Sequence, residues 1–402
     1  MRARVVLKPG KDKLLRRGYP WVFANQLHRI EGEPRSGDVV EITAADGTTY
    51  GLGFYHEHSQ IAVRFLTPDP NAQIDAGFFR RRLERALALR QAAFGDSTHY
   101  RLVFSESDGL PGTIIDRYGD VLTWTCLCYG MEQRRELLLD LLEELLRPRA
   151  IIERNDHALR EKDGLPQRRG VLRGQYGGPV EIVEEGVRFR VDVLEGLKTG
   201  FFLDQRLHRP VVARLARGRR VLDVFSADGG FGLMAAAHGA AHVHLLDISE
   251  TAMERARTNA RLNGLDTNRL TFDVANALDR LGELVAQGAT YELIVLDPPA
   301  FARSKRHLDD ARRAYQRINI SALRLLPPGG LLATASCSQA VDEATFLKII
   351  HYSARRAGCA LRLLYRGTQP PDHPVLEAMP ETAYLKFFLF QKLTDETPPV
   401  RQ

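Results

Sequence analysis

An apolar run, Leu293-Ile-Val-Leu296, stops at Asp297, Pro298 and Pro299, and an aromatic ring follows at Phe301. Four continuous apolar residues fit a parallel strand covered on both faces. The two prolines lack an N–H and fix φ, so neither continues a central ladder. Asp297 is therefore expected at the carboxyl end of a strand, with its carboxylate in the crevice where open α/β sheets bind ligands. Phe301 lies close enough to stack on a flat ring held by that acid.

A second group of residues points to the same kind of crevice. The run Val221-Leu-Asp-Val-Phe-Ser-Ala-Asp-Gly-Gly-Phe231 ends a strand in Gly229-Gly230, which permits close backbone approach of a ligand beside helix N–H groups. It is not G-x-G-x-x-G, which argues against a pyrophosphate cradle. The next apolar run ends at Asp247, where an acid can hydrogen-bond both hydroxyls of a ribose, and the third is followed by Asn276, whose amide suits an adenine edge. Together these describe a site for adenosine without a phosphate chain, which is what S-adenosylmethionine (SAM) presents.

The elements that must position these residues form a βα alternation. Strands are expected at Val221–Phe225, His242–Asp247, Leu270–Asp273, Leu293–Asp297 and Leu331–Ser336. Helices are expected from near Phe231, over Thr251–Asn263, Asp279–Gln287 and Asp309–Leu326. This predicts a doubly wound sheet in an α/β domain over 179–395, entered through a hairpin at 181–193. Upstream, residues 1–70 read as a small β-rich unit: short apolar runs (Val39–Ile42, Ile61–Phe65) are divided by turn signals, of which Asp46-Gly47 favours a hairpin. Such a unit serves either nucleic-acid docking or as a plain spacer. Phe78–Phe94 repeats apolar residues at helical spacing and makes a linker helix in 71–99, and 100–178 forms a middle α+β domain.

Composition narrows the class. At 402 residues, two or three domains are expected, and 44% apolar with 26% charged residues is ordinary for a globular chain. A net charge of +6 permits a polyanionic partner. Nine Lys/Arg against three acids crowd residues 1–35, and seven against two crowd residues 303–324, directly after the Asp297 stretch. Four cysteines without C-x-x-C spacing argue against zinc, and Cys126 and Cys128 read as core. No leader is evident, and no uncharged run of 18 residues offers a membrane span, so a cytoplasmic protein with reduced thiols is expected.

The ordered set Asp223-Val-Phe-Ser-x-x-Gly-Gly-Phe231, Asp247-Ile-Ser249, Asp297-Pro-Pro-Ala-Phe301 and Ser336-Cys-Ser338 resembles class I SAM-dependent RNA methyltransferases. It is most similar to the RlmI-type family, cytosine-5 methyltransferases of large-subunit ribosomal RNA. Further matching stretches are Glu106–Gly112, Gly196–Arg206, Asp372-His-Pro374 and Tyr384-Leu-Lys386. Two positions depart: Asp228 stands where the family usually has Thr or a similar polar residue, and Asn276 where it usually has Asp.

The resemblance implies an N-terminal PUA-like β-barrel, a middle α+β domain and a Rossmann-like catalytic domain. It implies SAM as cofactor, ribosomal RNA as partner and no membrane, and leaves a homodimer open. Cys337 would be the nucleophile and Asp297 the acid beside the ring. Phe225, Ser226, Gly229, Asp247, Ile248 and Asn276 would hold the cofactor, with Lys198, Asp204 and Gln205 lining its side. Phe301, Arg303, Lys305, Arg306 and Arg312 would meet the substrate, Arg313 adding to the basic run. Cytosine needs the thiol because its carbon 5 is too weak a nucleophile until a thiolate adds at carbon 6. A guanine-directed enzyme, which needs no thiol, and a noncatalytic RNA-binding assembly factor remain the rival readings.

Overall fold

The computed structural model describes residues 2–196, 199–301 and 308–393. These form two compact units, Met1–Val180 with Asp192–Leu203 and Pro371–Thr382, and Glu181–Val191 with Asp204–Pro370 and Ala383–Gln402. A short mid-chain segment and one near the C-terminus thus belong to the first unit. Among the described residues no helix is long and apolar enough to cross a membrane.

The first unit contains two sheets. Six strands in the order Trp21–Phe23, Ile61–Thr67, Thr49–Tyr55, Val39–Thr43, Arg4–Leu7 and Leu27–Glu31 surround a small core of Val5, Leu7, Val22, Val40, Ile42 and Val63. Asp46-Gly47 makes the expected hairpin: Gly47 has φ 89° and Asp46 Oδ1 accepts from Thr48 N at 3.0 Å. A five-stranded sheet follows, in the order Arg168–Gly174, Ala150–Asn155, Val121–Cys126, Thr113–Tyr118 and His99–Phe104. The helices Ala76–Phe94 and Arg135–Leu146 contribute Phe79, Leu83, Leu138 and Leu142 to the core that holds Trp124, Cys126 and Cys128. Burial pushes both thiols up, which keeps them protonated small hydrophobes.

Two of the matching stretches outside the crevice brace this unit. Arg90, fully buried, donates to both carboxylate oxygens of Asp108 at 2.6 and 2.8 Å and to the carbonyl of Asp372 at 2.8 Å. Asp372 Oδ2 in turn accepts from Arg101 N at 3.0 Å. A buried guanidinium needs such complete pairing, because an unpaired one costs several kcal/mol, on the order of 3–5.

The second unit is built on a seven-stranded sheet: β1 (Arg220–Val224), β2 (His242–Asp247), β3 (Leu270–Val274), β4 (Leu293–Leu296), β5 (Leu331–Ser336), β6 (Leu361–Gly367) and β7 (Lys386–Lys392). The spatial order is β3-β2-β1-β4-β5-β7-β6. The first five are parallel, and β7 runs antiparallel to both β5 and β6. The helices are α1 (His208–Arg214), α2 (Gly230–Ala237), α3 (Glu250–Leu262), α4 (Ala277–Ala286), α5 (Leu308–Leu325) and α6 (Glu343–Arg356). Parallel strands buried on both faces explain the unbroken apolar runs of β4 and β5, in which every residue is buried. α1 is fixed by Arg209, whose guanidinium donates twice to Glu184 at 2.6 Å with both side chains buried.

The Rossmann-like sheet fulfils the expected α/β class. The sequence reading stopped at β5, and the antiparallel pair β6–β7 went unseen. β6 carries Arg362 and Arg366 among apolar residues and leaves Leu363 and Leu364 exposed, so neither periodicity was clear.

Candidate active site at the carboxyl edge of the sheet

β1 pairs in parallel with β2 on one side and β4 on the other, and the chain reaches β4 only after running out through β2 and β3. That reversal opens a crevice beyond the carboxyl ends of β1 and β4. The registers Val224↔Leu246 and Val224↔Leu296 bring the ends of β2 and β4, hence Asp247 and Asp297, to the two flanks of the β1 loop.

The loop after β1 is held in an uncommon backbone. Phe225, Ala227 and Gly229 have φ of 64°, 47° and 85°. For the two non-glycine residues this costs on the order of 1–3 kcal/mol each, and the surroundings must enforce it. Phe225 N and Ser226 N both donate to Leu246 O, at 2.9 and 3.1 Å. Ala227 N donates to Asp247 Oδ2 at 2.9 Å, while Asp247 Oδ1 accepts from Ser249 N at 2.9 Å. Each carboxylate oxygen of Asp247 thus keeps a lone pair for a further donor. Next to it Ile248 is left 70% exposed, a large apolar side chain open beside a half-buried acid.

Asp223, the last residue but one of β1, is 1% exposed, and its Oδ2 accepts from Gly232 N at 2.7 Å. A Cβ on Gly232 would lie 2.9 Å from that oxygen, so only glycine lets α2 come this close. Burial pushes the Asp223 carboxyl up to about 8, and Asp297 and Asp247 add to the rise against the Gly232 hydrogen bond. Asp223 Oδ1 and the buried Ser226 Oγ have no hydrogen-bond partner among the described residues. Two orphaned buried polar atoms, an open isoleucine and a part-used carboxylate fit a ligand with both polar and flat apolar portions.

Asn276 stands at the same end, because Ala275 N donates to Asp247 O at 3.0 Å. It is exposed and caps α4, its Oδ1 accepting from Leu278 N at 2.9 Å. The cap occupies the oxygen that was expected to face adenine and leaves the amide NH2 as the outward group.

On the other flank, Asp297 Oδ1 accepts from Gln205 Nε2 at 2.8 Å. Gln205, 2% exposed, meets His208 Nδ1 through its Oε1 at 2.6 Å, and the His208 ring stacks on Phe387 with centroids 4.2 Å apart. Since the Gln205 amide nitrogen faces a carboxylate, its oxygen faces the histidine, and Nδ1 is the protonated nitrogen. Burial lowers His208 to about 4, which keeps this ring neutral. A neutral chain of donors, His208 to Gln205 to Asp297, orients the carboxylate. Asp204, beside Gln205, accepts from Tyr384 Oη at 2.8 Å.

The register Leu296↔Thr334 brings the end of β5 alongside Asp297 and Pro298. Cys337 is half-buried, with Sγ 3.8 Å from Pro298 O. The serines on either side of it are fully buried and face away into one network: Ser336 Oγ donates to Tyr315 Oη at 2.9 Å, which lies 3.0 Å from Ser338 Oγ. Burial pushes the Tyr315 hydroxyl up to about 12, so it stays a neutral anchor. This anchoring of both neighbours fixes the cysteine between them.

Phe301 is less free than expected. It is half-buried and packs edge-on against Tyr315 and Phe225, with centroids at 4.8 and 6.2 Å. Arg312 lies exposed on α5 within 3.7 Å of Asp309. Lys198, Arg303, Lys305 and Arg306 lie outside the described residues. The structure therefore gathers Phe225, Ser226, Gly229, Asp247, Ile248, Asn276, Asp204, Gln205, Asp297, Phe301 and Cys337 along one sheet edge. Asp223, His208, Tyr315 and Lys386 escaped the sequence reading. Asp223 and Lys386 lay inside stretches already singled out, but nothing in the sequence says that one is buried or that the other turns inward.

The family model for S-adenosylmethionine-dependent methyltransferases matches residues 168–391, and that for a PUA-like domain matches residues 5–68. The chain is 42% identical over 390 residues to the ribosomal RNA large subunit methyltransferase I of Shewanella denitrificans, covering 96% of this chain and 98% of that one. With its counterpart from Aeromonas salmonicida it shares 43% over 385 residues, covering 95% and 97%. In fold it is similar to a SAM-dependent methyltransferase from Streptococcus mutans, with a TM-score of 0.82 at 21% identity over 96% of this chain and 99% of that one. A crystal structure of a methyltransferase complexed with SAH gives 0.83 at the same identity and coverage. The chain belongs to the S-adenosylmethionine-dependent methyltransferases, in the family of the ribosomal RNA large subunit methyltransferases I, and its cofactor is SAM.

Proposed function

We propose that this enzyme methylates carbon 5 of a cytosine in ribosomal RNA through a covalent adduct with Cys337. The relatives' name supports the RNA class. The observation that carries the finer reading is a half-buried thiol whose Sγ is 3.8 Å from the carbonyl of the residue following Asp297, so that nucleophile and acid share one crevice.

In this reading the Cys337 thiolate gives an electron pair to carbon 6 and forms an S–C bond. The ring's C5–C6 π electrons are displaced, and a proton or hydrogen bond at nitrogen 3, placed by Asp297, leaves an enamine with an electron-rich carbon 5. Bound SAM supplies an electrophilic methyl group. As carbon 5 takes the methyl, the proton at nitrogen 3 returns to Asp297 and the C4–N3 double bond reforms; the carbon-5 proton then leaves to a base, the C–S bonding electrons return to sulfur, and the 5,6 double bond is restored. The relay from His208 through Gln205 holds the Asp297 carboxylate in one orientation throughout. Phe301 borders the ring's position from its Tyr315–Phe225 packing, and Arg312 offers a phosphate contact.

For the cofactor we assign the free lone pairs of Asp247 to the ribose hydroxyls, Ile248 to one face of adenine and the Asn276 NH2 to its edge. The Phe225–Gly229 loop, with Ser226, cradles the remainder, and Asp204 and Gln205 close the side toward Asp297. RNA docking is assigned to residues 1–70, supported by the basic surplus of residues 1–35 and the PUA-like match. The test is denaturing electrophoresis of the enzyme with SAM and RNA carrying 5-fluorocytosine at the target. Fluorine does not leave as a proton does, so a shifted protein–RNA band is expected. Methylation of ordinary cytosine without any such band would overturn the covalent mechanism.

A further inference from the structure

Lys386 is 7% exposed, yet its ammonium has no carboxylate within ion-pair distance among the described residues. It opens β7, opposite Ser336 in the last pair of the β5–β7 ladder, so it stands beside Cys337 where β5 ends. Two of its three N–H groups are committed, to Ser338 O at 2.7 Å and to Tyr384 O at 2.8 Å. Ser338 is the residue after Cys337. Two neutral carbonyls do not offset the desolvation of a buried charge, and a neutral amine would anchor this turn equally well.

We propose that Lys386 is a positioning residue whose ammonium holds Cys337 as its thiolate and thereby sets the pH range in which the nucleophile is available. The thiolate is the anion that the buried ammonium lacks. The other charged or titratable groups facing the pair come from three elements. Asp297 ends β4, Tyr315 on α5 is neutral, and Asp342, Glu343 and Lys348 lie at the start of α6. Burial lowers Lys386 to about 8, while Cys337, Asp342 and Glu343 favour its charged form. The ion pair therefore exists between the ionisation of the thiol and the deprotonation of the amine, and both apparent values belong to the pair. Its relevance to turnover rests on Cys337 being the attacking group, but its test does not.

The experiment follows alkylation of Cys337 by iodoacetamide from pH 5 to 10 (a conventional span of about five units bracketing thiol ionisation), read by peptide mass spectrometry in the full-length enzyme without RNA. In the wild type the rate should follow an ionisation at least about one unit below the ordinary 8.5 or so of a cysteine. Lys386→Met should raise it by about one unit or more, slowing alkylation at neutral pH by roughly tenfold, and Lys386→Arg should restore it. SAM affinity by calorimetry certifies that each variant is folded. A wild-type thiol ionising at or above about 8.5, or a folded Lys386→Met with an unchanged profile, overturns the proposal. If Lys386→Met does not fold, the wild-type profile decides alone. A depressed thiol in an enzyme that forms no fluorocytosine adduct would sink the cytosine mechanism and leave the Lys386 pair standing.

Discussion

The two flanks of the sheet edge are built by different means. On the β1–β2 flank the ligand-facing surface is mostly backbone: a loop with three positive φ values, pinned by N–H donors to Leu246 O and Asp247. On the β4–β5 flank it is made of side chains held by other side chains, with His208 and Gln205 behind Asp297, and Tyr315 and Lys386 around Cys337. A backbone cradle recognises a fixed ligand shape and tolerates little change in residue type. A side-chain network sets orientation and protonation, which a reaction needs. Changes on the first flank should therefore appear mainly as lost cofactor affinity, and changes on the second mainly as lost rate.

The largest effect sharpens the second half of that contrast. Cys337→Ala should lower turnover by at least about a thousandfold while SAM affinity stays within about twofold, because under the proposed mechanism it removes the covalent step and nothing that holds cofactor. Cys337→Ser should be nearly as inactive, since a hydroxyl ionises far less readily. Single-turnover methylation with labelled SAM, paired with calorimetry, checks both. A Cys337→Ala variant with full turnover would return the guanine-directed reading to first place.

On the other flank, Asp247→Ala should weaken SAM binding by roughly 1–3 kcal/mol, the cost of unpaired ribose hydroxyls in a partly buried site. The same change frees Ala227 N and Ser249 N, so the loop should loosen as well. Unchanged affinity by calorimetry would mean that the cofactor lies elsewhere.

Gln205→Leu addresses the relay. It leaves Asp297 without its oriented donor, and a loss of kcat of roughly 3- to 30-fold with little change in SAM affinity is expected. If SAM affinity fell as far as kcat, Gln205 would belong with the cofactor flank and the division drawn above would fail at this residue.

How much of this was legible beforehand follows the same division. The β1–β2 flank announces itself, because a strand ending in an acid or in Gly-Gly is a pattern along the chain. Asp247 and Gly229 were singled out that way, and so was Asp297 on the other flank. His208, Tyr315 and Lys386 were not, since their partners lie 3, 23 and 48 residues away in sequence and only the closed sheet brings the last two together. Phe301 and Asn276 were singled out for a partly different reason than their structure supports: part of the ring is spent on Tyr315, and one amide oxygen on a helix cap. Local pattern identifies a position, whereas the competing demands of packing and capping decide how much of the side chain is left over.

Asp223 gives the finest test, because it sits between the flanks. Its carboxyl is raised from the ordinary value near 3.8 to about 8 in the folded protein, chiefly by burial. Between those values the folded state binds a proton that the unfolded state has lost, so stability falls as pH rises through that window. The stabilisation is complete below about pH 4 and lost by about pH 8. Asp223→Asn keeps an oxygen for Gly232 N and supplies a neutral amide where the proton would be, so it should flatten this slope. At about pH 4, the lower limit of the window, the two proteins should be nearly equal in stability, and by pH 8 the variant should be the more stable by several kcal/mol, on denaturant titration of the cofactor-free enzyme. A wild type whose stability runs parallel to that of Asp223→Asn between about pH 5 and 8 would show that this carboxylate is ionised in the fold. In that case the buried negative charge would be part of the cofactor flank, balanced by the ligand and not by a proton.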